Sequence, residues 1–292
     1  MQRKGIILAG GKGSRLYPLT EAVSKQLLPI YDKPMIYYPI STLMSIGIKD
    51  ILIITTPHDQ KSFIKLLGDG KKWGINIQYK IQTKPEGLAQ AFTIGKDFLG
   101  DSHSVLILGD NLFHGSSLYK TFSDGNARKS GATVFAYPVK DPERYGVLDF
   151  NKNGLVLGIE EKPKNPKSNY AITGIYFFDN SVIEKAEKVT LSKRGEYEIT
   201  DLNKMYLEEK SLHVEIMGRG TAWLDTGNND SLHEASGYIK TLENRQGLKV
   251  CCPEEVSWRN GWITNAQLKK LAEDLNSSGY GKYLLNLILQ NG

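Results

Sequence analysis

Cysteine is nearly absent from this chain: of 292 residues only Cys251 and Cys252 carry thiols, and they are neighbours. Adjacent cysteines build no disulfide framework and match no C-x-x-C metal or redox pattern, so a reducing cytoplasm is the expected setting. Long apolar runs are missing too. The longest charge-free stretch of the first third, Pro34 to Ile48, is interrupted by Pro39 and falls short of the roughly 18 residues that a membrane span needs. Met1-Gln2-Arg3-Lys4 brings charge but no long apolar region before Gly10, so neither secretion nor membrane insertion is expected. Charge of one sign is also scarce. The 37 Lys and Arg less the 32 Asp and Glu leave a net of +5, which argues against a nucleic-acid binder but leaves cations for a phosphorylated small molecule.

Glycine is what the chain has in excess, 29 of 292 residues or about 10%, against a usual 7% or so. The remaining composition, 40% hydrophobic and 24% charged, is that of a globular protein long enough for one large domain, alone or with an appendage. No internal repeat or low-complexity linker is visible.

Short apolar runs alternate with helical patterns through the first part. Ile6-Ile7-Leu8, Ile51 to Thr55, Ile75 to Ile81 and Val105 to Leu108 read as buried strands; Met35 to Ile46, Gln60 to Leu67 and Leu88 to Phe98 read as helices. The middle is richer in strands: Ala132 to Val139, Tyr145 to Phe150, Leu155 to Glu160, Tyr170 to Phe178 and Val214 to Met217. Ser181 with Glu184 reads as a capping box. From Ser231 the pattern is helical to the end, with Cys251 to Trp258 as a break and Gly279-Tyr280-Gly281 before a last apolar helix. That helix needs a partner surface, either its own domain or another copy. The expected fold is α/β: a Rossmann-like mixed, mostly parallel central sheet flanked by helices, with a C-terminal helical appendage. Ligands in such sheets bind beyond the carboxyl ends of the strands.

The first strand runs straight into Gly10-Gly11-Lys12-Gly13-Ser14-Arg15. Glycines let backbone N–H groups approach an anion, and a following helix N-terminus would add a favourable dipole. The segment fails two templates. A Walker A loop needs Ser or Thr where Gly13 stands and Gly where Ile6 stands, and a Rossmann fingerprint needs a glycine in place of Leu16. Asp110 follows the strand Val105 to Leu108, and Asp225 lies in Ala222-Trp223-Leu224-Asp225-Thr226-Gly227. By residue chemistry the two serve equally well as metal ligands or as a helix cap and a turn opener.

The continuation narrows the choice. Gly10-Gly11-Lys12-Gly13-Ser14-Arg15-Leu16-Tyr17-Pro18-Leu19-Thr20, followed by Lys25-Gln26-Leu27-Leu28-Pro29, resembles the signature of the nucleotidyltransferases that make nucleoside-diphosphate sugars. Further likeness, in Pro142 to Val147, Glu160-Glu161-Lys162-Pro163, Arg194-Gly195-Glu196, Glu198 to Asp201 and Arg245 to Val250, extends over essentially the whole chain and resembles the branch using dTTP and glucose 1-phosphate.

The resemblance implies a nucleotide site of Leu8, Gly10, Gly11, Gly13, Ser14, Arg15, Gln26, Gln82, Gly87 and Asp110, with Gln82 and Gly87 against the base. It implies a sugar-phosphate site of Asn111, Tyr145, Gly146, Glu161, Lys162, Ile172, Thr173 and Tyr176. Asp110 and Asp225 would hold Mg²⁺, and Arg15, Lys25 and Lys162 would carry the reaction with them. Gly115, Glu255, Val256 and Arg259 would form a regulatory site. The implied organisation is a core of residues 1–230, nucleotide-binding to about 115 and sugar-binding from about 116, then a helical segment 231–292, in a homotetramer. The implied product, dTDP-glucose, opens the route to dTDP-L-rhamnose and other deoxysugars, without nucleic-acid or membrane partners. Lys12 and Ser14 stand where relatives often have Ser and Thr, and Ile172 where Val is usual; His114 and Ser45 replace bulkier residues at the inhibitory interface. UTP or other sugar phosphates remain open as substrates. So do a metal-dependent glycosyltransferase, though Asp110-Asn111-Leu112 is no D-x-D, and a non-catalytic nucleotide-sugar sensor.

Overall fold

The computed structural model describes residues 3–291. Its strands are β1 (Lys4–Ala9), β2 (Pro29–Ile30), β3 (Lys33–Pro34), β4 (Asp50–Thr55), β5 (Asn76–Ile81), β6 (Ser104–Leu108), β7 (Asn111–His114), β8 (Ala132–Pro138), β9 (Gly146–Phe150), β10 (Val156–Glu161), β11 (Tyr170–Phe178), β12 (Leu212–Ile216) and β13 (Ala222–Asp225). The helices before the tail are α1 (Tyr37–Ser45), α2 (Gln60–Leu67), α3 (Gln90–Ile94), α4 (Lys96–Leu99), α5 (Leu118–Ala127), α6 (Val182–Lys188) and α7 (Ile199–Glu208). The tail adds α8 (Asn229–Gln246), α9 (Pro253–Arg259), α10 (Asn265–Glu273) and α11 (Gly279–Asn291).

A mixed sheet carries the order β10-β9-β11-β6-β1-β4-β5, with β8 on β11 and β12 on β8. β6, β1, β4 and β5 are parallel; β11 joins β6 antiparallel. The near-continuous apolar runs of the parallel strands follow from burial on both faces. Ile7, Ile53 and Ile107 enter one core, with Trp73 and Phe113, while Ile6, Leu52, Ile54 and Leu106 enter the other, with Phe92 and Phe178. The carboxyl ends of β1 and β6 lie side by side, with Leu8 in register with Leu108. Gly109 N–H donates to the Leu8 carbonyl at 3.0 Å, and a Cβ on Gly109 would meet that oxygen at 3.0 Å and Gln26 Cγ at 2.9 Å. A side chain here would have to displace Gln26 and press on the Leu8 carbonyl, and the close approach sets Asp110 beside the glycine-rich turn.

Some expectations need correction. The helix read over Leu88 to Phe98 is two short helices separated at Gly95. Cys251 to Trp258 is no simple break, because Pro253 opens α9 with its fixed φ at the first helical turn. Ser181 makes no cap bond; its hydroxyl donates instead to Asp179. The capping boxes are Asn228 with Ser231 and Thr264 with Gln267. The last helix buries Leu284 and Leu287 against Leu268 and Ala272 of α10 while Leu289 stays exposed. No helix among the described residues is long and apolar enough to cross a membrane.

Candidate active site

The glycine-rich turn leads into a single 3-10 turn, Ser14–Leu16, not into a helix. The expected helix dipole is therefore absent, and any anion here is met by loop amides and side-chain cations. Gly10, Gly11, Gly13, Ser14, Arg15, Gln26 and Gly227 line a cavity of about 220 Å³ with Lys25 and Asp110. A second cavity, of about 550 Å³, is lined by Asn111, Arg144, Tyr145, Gly146, Glu161, Lys162, Ile172, Tyr176, Trp223 and Asp225 among others. Arg15 and Asp110 line both.

Asp110 is the best-held group at this junction. Buried Lys25 donates from Nζ to its Oδ2 at 2.5 Å, and Asn111 Nδ2 donates to its Oδ1 at 2.9 Å. Burial pushes the carboxyl upward, but the Lys25 charge and these hydrogen bonds outweigh it and hold Asp110 below the ordinary carboxylate range. Asn111 Oδ1 accepts from Trp223 Nε1 at 2.6 Å and from Gly174 N–H at 3.1 Å. Asn111 thus lines the larger cavity while its amide ties β7, β11 and β13 to Asp110. Asn111→Leu should leave two buried N–H donors unpaired, each costing about 1–3 kcal/mol; a lowered Tm and reduced turnover together would register it.

Asp225 ends β13, which pairs with β7 so that Asp225 opposes Asn111. Next to it, Thr226 donates N–H and hydroxyl to the Asp110 carbonyl at 3.2 and 2.9 Å. Burial and the neighbouring Asp110 charge push the Asp225 carboxyl upward, more than Lys25, Arg144 and Arg15 offset. Arg144 Nη2 lies 3.6 Å from Asp225 Oδ2, and Tyr145 hydroxyl donates to the same oxygen at 3.5 Å. Among the described residues no three His, Cys, Asp or Glu side chains gather as a metal cage. Two facing carboxylates, one of them ionised at a cost, suit a hard divalent cation that completes its shell with water and substrate phosphates.

The residues expected to lie against the base are placed differently. Leu8 is buried at the end of β1. Gln82 is packed against Gly10 and donates from Nε2 to the Gly87 carbonyl at 3.3 Å and to Gln90 at 2.7 Å. Gly87 has φ +114°, and its Cβ position lies 2.4 Å from the Tyr197 carbonyl oxygen. The glycine therefore admits the Tyr197 backbone, which also bonds Glu86 and Ala89.

In the larger cavity, Tyr145 tilts against Trp223 with ring centroids 5.0 Å apart. Glu161 accepts from Thr200 Oγ1 at 2.5 Å, with Arg194 Nη1 at 3.4 Å. Lys162 holds an αL backbone, φ +45°, with its N–H bonded to the Tyr145 carbonyl at 2.9 Å; strain in a lysine is the kind kept at working sites. Tyr176 lines the cavity, its phenol pushed up by burial and then by Glu161. Thr173 stands outside the cavity lining, fully buried with its hydroxyl unpaired. Arg144, Thr200 and Gly227 carry no role in the sequence reading, although Arg144 adjoins Tyr145 and Arg194-Gly195-Glu196 belongs to the recognisable pattern. Of the regulatory set, Glu255 and Arg259 pair on α9 at 2.7 Å, and Tyr283 also donates to Glu255. Val256 packs on a core, while Gly115 follows β7 against Gly220 and Thr221.

Residues 4–241 match the family model described as nucleotidyl transferase. The chain belongs to this nucleotidyl transferase family. A Xanthomonas campestris pv. campestris relative named glucose-1-phosphate thymidylyltransferase is 59% identical, covering 98% of this chain and 97% of its own. One of the same name from Neisseria meningitidis is 56% identical over 98% of this chain and 99% of its own. Among solved structures, a Bacillus anthracis protein in complex with sucrose superposes with a TM-score of 0.75 at 42% identity, covering 81% of this chain and 94% of that one. The junction at Arg15 and Asp110 is the part of this family member where two ligands could meet.

Proposed function

We propose that the protein transfers a thymidylyl group from dTTP to α-D-glucose 1-phosphate, giving dTDP-glucose and diphosphate. The observation that carries this reading is the shared wall: Arg15 and Asp110 face both cavities, so a nucleotide in one and a sugar phosphate in the other meet at a cation and a carboxylate. The relatives' names support the substrate pair.

A phosphate oxygen of the sugar attacks the α-phosphorus in line, and diphosphate leaves. That oxygen is already anionic, so no general base and no covalent enzyme intermediate is needed, and the chain supplies position and charge. Arg15 and the amides of the glycine-rich turn take the nucleotide phosphates, Lys25 the departing diphosphate and Lys162 the sugar phosphate. Glu161, fixed by Thr200 and Arg194, accepts from sugar hydroxyls. Asp110 and Asp225 would hold a divalent cation, Mg²⁺, which would offset the negative charge of the phosphates. The same proposal makes residues 1–230 the transferase core and 231–292 a helical segment that serves assembly and regulation of a cytoplasmic homotetramer.

Incubation with each nucleoside triphosphate, glucose 1-phosphate and Mg²⁺, with diphosphate release as the readout, tests the reading. dTTP should release diphosphate fastest and only with the sugar phosphate present. Release without sugar phosphate, or none with any triphosphate, would overturn it; faster release from UTP would reassign the base.

A further inference from the structure

Lys25 and Asp225 are joined through the site, where Lys25 bonds Asp110 and Thr226 bonds the Asp110 carbonyl. They are also joined by a second, longer route. Three residues after Asp225, Asn228 caps α8 by reciprocal bonds with Ser231. The helix runs 18 residues, about 27 Å, and brings Glu243 to its far end. From Lys25 the chain turns into the β2–β3 hairpin, whose base is closed by Met35 N–H to Leu28 and Ile36 N–H to Gln26, both 2.9 Å. The hairpin lies along α8: Tyr31 N–H donates to Ser236 Oγ and Tyr31 hydroxyl to Asn244 Oδ1, both at 3.3 Å.

The two arms close on a buried ion cluster. Lys33 Nζ donates to Glu243 Oε1 at 2.8 Å and to Asp32 Oδ1 at 2.6 Å. Lys249 donates to Glu243 Oε2 at 2.7 Å and to the second Asp32 oxygen. Lys33 and Glu243 are 3% and 5% exposed. Such a cluster adds little net stability over apolar side chains of equal volume, but it fixes which segments meet and in what register. Met35 and Thr226, whose hydroxyl lies 3.3 Å from the Met35 sulfur, brace the ring from inside.

We propose that Glu243 and Lys33 are positioning residues for the transfer reaction: their tie between α8 and the hairpin sets the placement of Lys25 relative to Asp225. This rests on the reading of Lys25 as part of the catalytic machinery. The test is a double-mutant cycle of Glu243→Gln and Lys25→Met in the full chain, assayed by diphosphate release well below the melting temperature of each variant. Glu243→Gln should lower kcat about ten- to a hundredfold, the scale of a misplaced group, with KM for both substrates little changed. In the Lys25→Met background it should cost almost nothing more, because the cation it places is gone. Glu243→Asp, which keeps the charge on a shorter arm, should recover part of the turnover; if Glu243→Gln does not fold, the cycle is run with Glu243→Asp, with a smaller but equally non-additive loss. A folded Glu243 variant with normal kcat, or a loss that adds in full to that of Lys25→Met, overturns the inference. Normal turnover by Lys25→Met alone overturns the assignment of Lys25, and this inference with it.

Discussion

Arg15→Ala is expected to keep its melting temperature and to lower kcat about a hundred- to a thousandfold, the usual cost of one donor aimed at transition-state charge. Arg15 is exposed and its guanidinium makes no hydrogen bond with any described residue. Its removal therefore strips no buried group of a hydrogen-bond partner and takes from the fold only the weakest of the three cationic attractions on Asp225, so the fold has little to lose. The reaction has much to lose, because among the described residues Arg15 is the one cation that lines both cavities. The nucleotide's ground-state phosphates keep the loop amides and Lys25, so the loss falls on kcat more than on KM. Thermal melting and steady-state kinetics on one preparation decide it. A well-folded Arg15→Ala protein with near-normal kcat would remove the residue from the mechanism.

The second large effect reaches stability as well as turnover. Asp225→Ala should abolish most turnover in Mg²⁺ while leaving the protein as stable as before, or more so. The Asp225 carboxyl stands above its ordinary range because burial and Asp110 disfavour its charge. A carboxyl raised in the folded state makes its ionised form a cost to folding at neutral pH, relieved as pH falls through the folded value. Deleting it should thus stabilise at neutral pH, with the gain fading on acidification. Asp110 is the contrast: its loss would leave Lys25 buried without its partner, which destabilises. Tm against pH for the Asp225→Ala protein, beside its diphosphate release, reads both effects. Turnover close to that of the parent would end the assignment of Asp225 as a metal ligand.

Elements with strong local patterns were legible from sequence. α2 and β11 have the bounds that periodicity and turn residues suggest, and the buried parallel strands declare themselves by uninterrupted Ile, Leu and Val. The pair β7 and β13 does not: four residues each, both ending at polar groups, they are strands only because each supplies the other's partner. The helix after the glycine-rich turn was an inference from a common architecture, and here the chain makes a 3-10 turn instead. Among site residues, the cations and carboxylates announce themselves by motif. Arg144, Arg194 and Thr200 lie within family-like segments, yet their roles are not legible there, since these depend on how loops far apart in sequence fold over Asp225 and Glu161. Gly87 shows the limit most clearly, because its bare face is filled by the backbone of Tyr197, far along the sequence.

The two cysteines, uninformative as a sequence feature, gain a use from their surroundings. Cys251 packs with the cluster of Tyr38, Ile239 and Val250, whereas Cys252 belongs to the cluster of Tyr280 and Leu284. Burial pushes the Cys251 thiol up to about 11 and Cys252 well above its ordinary value, which disfavours the reactive thiolate; Cys252 is also closed off from solvent, whereas Cys251 is only part-buried. Thiol labelling of buried Cys252 therefore becomes a clock for the tail, timing the lifting of α11.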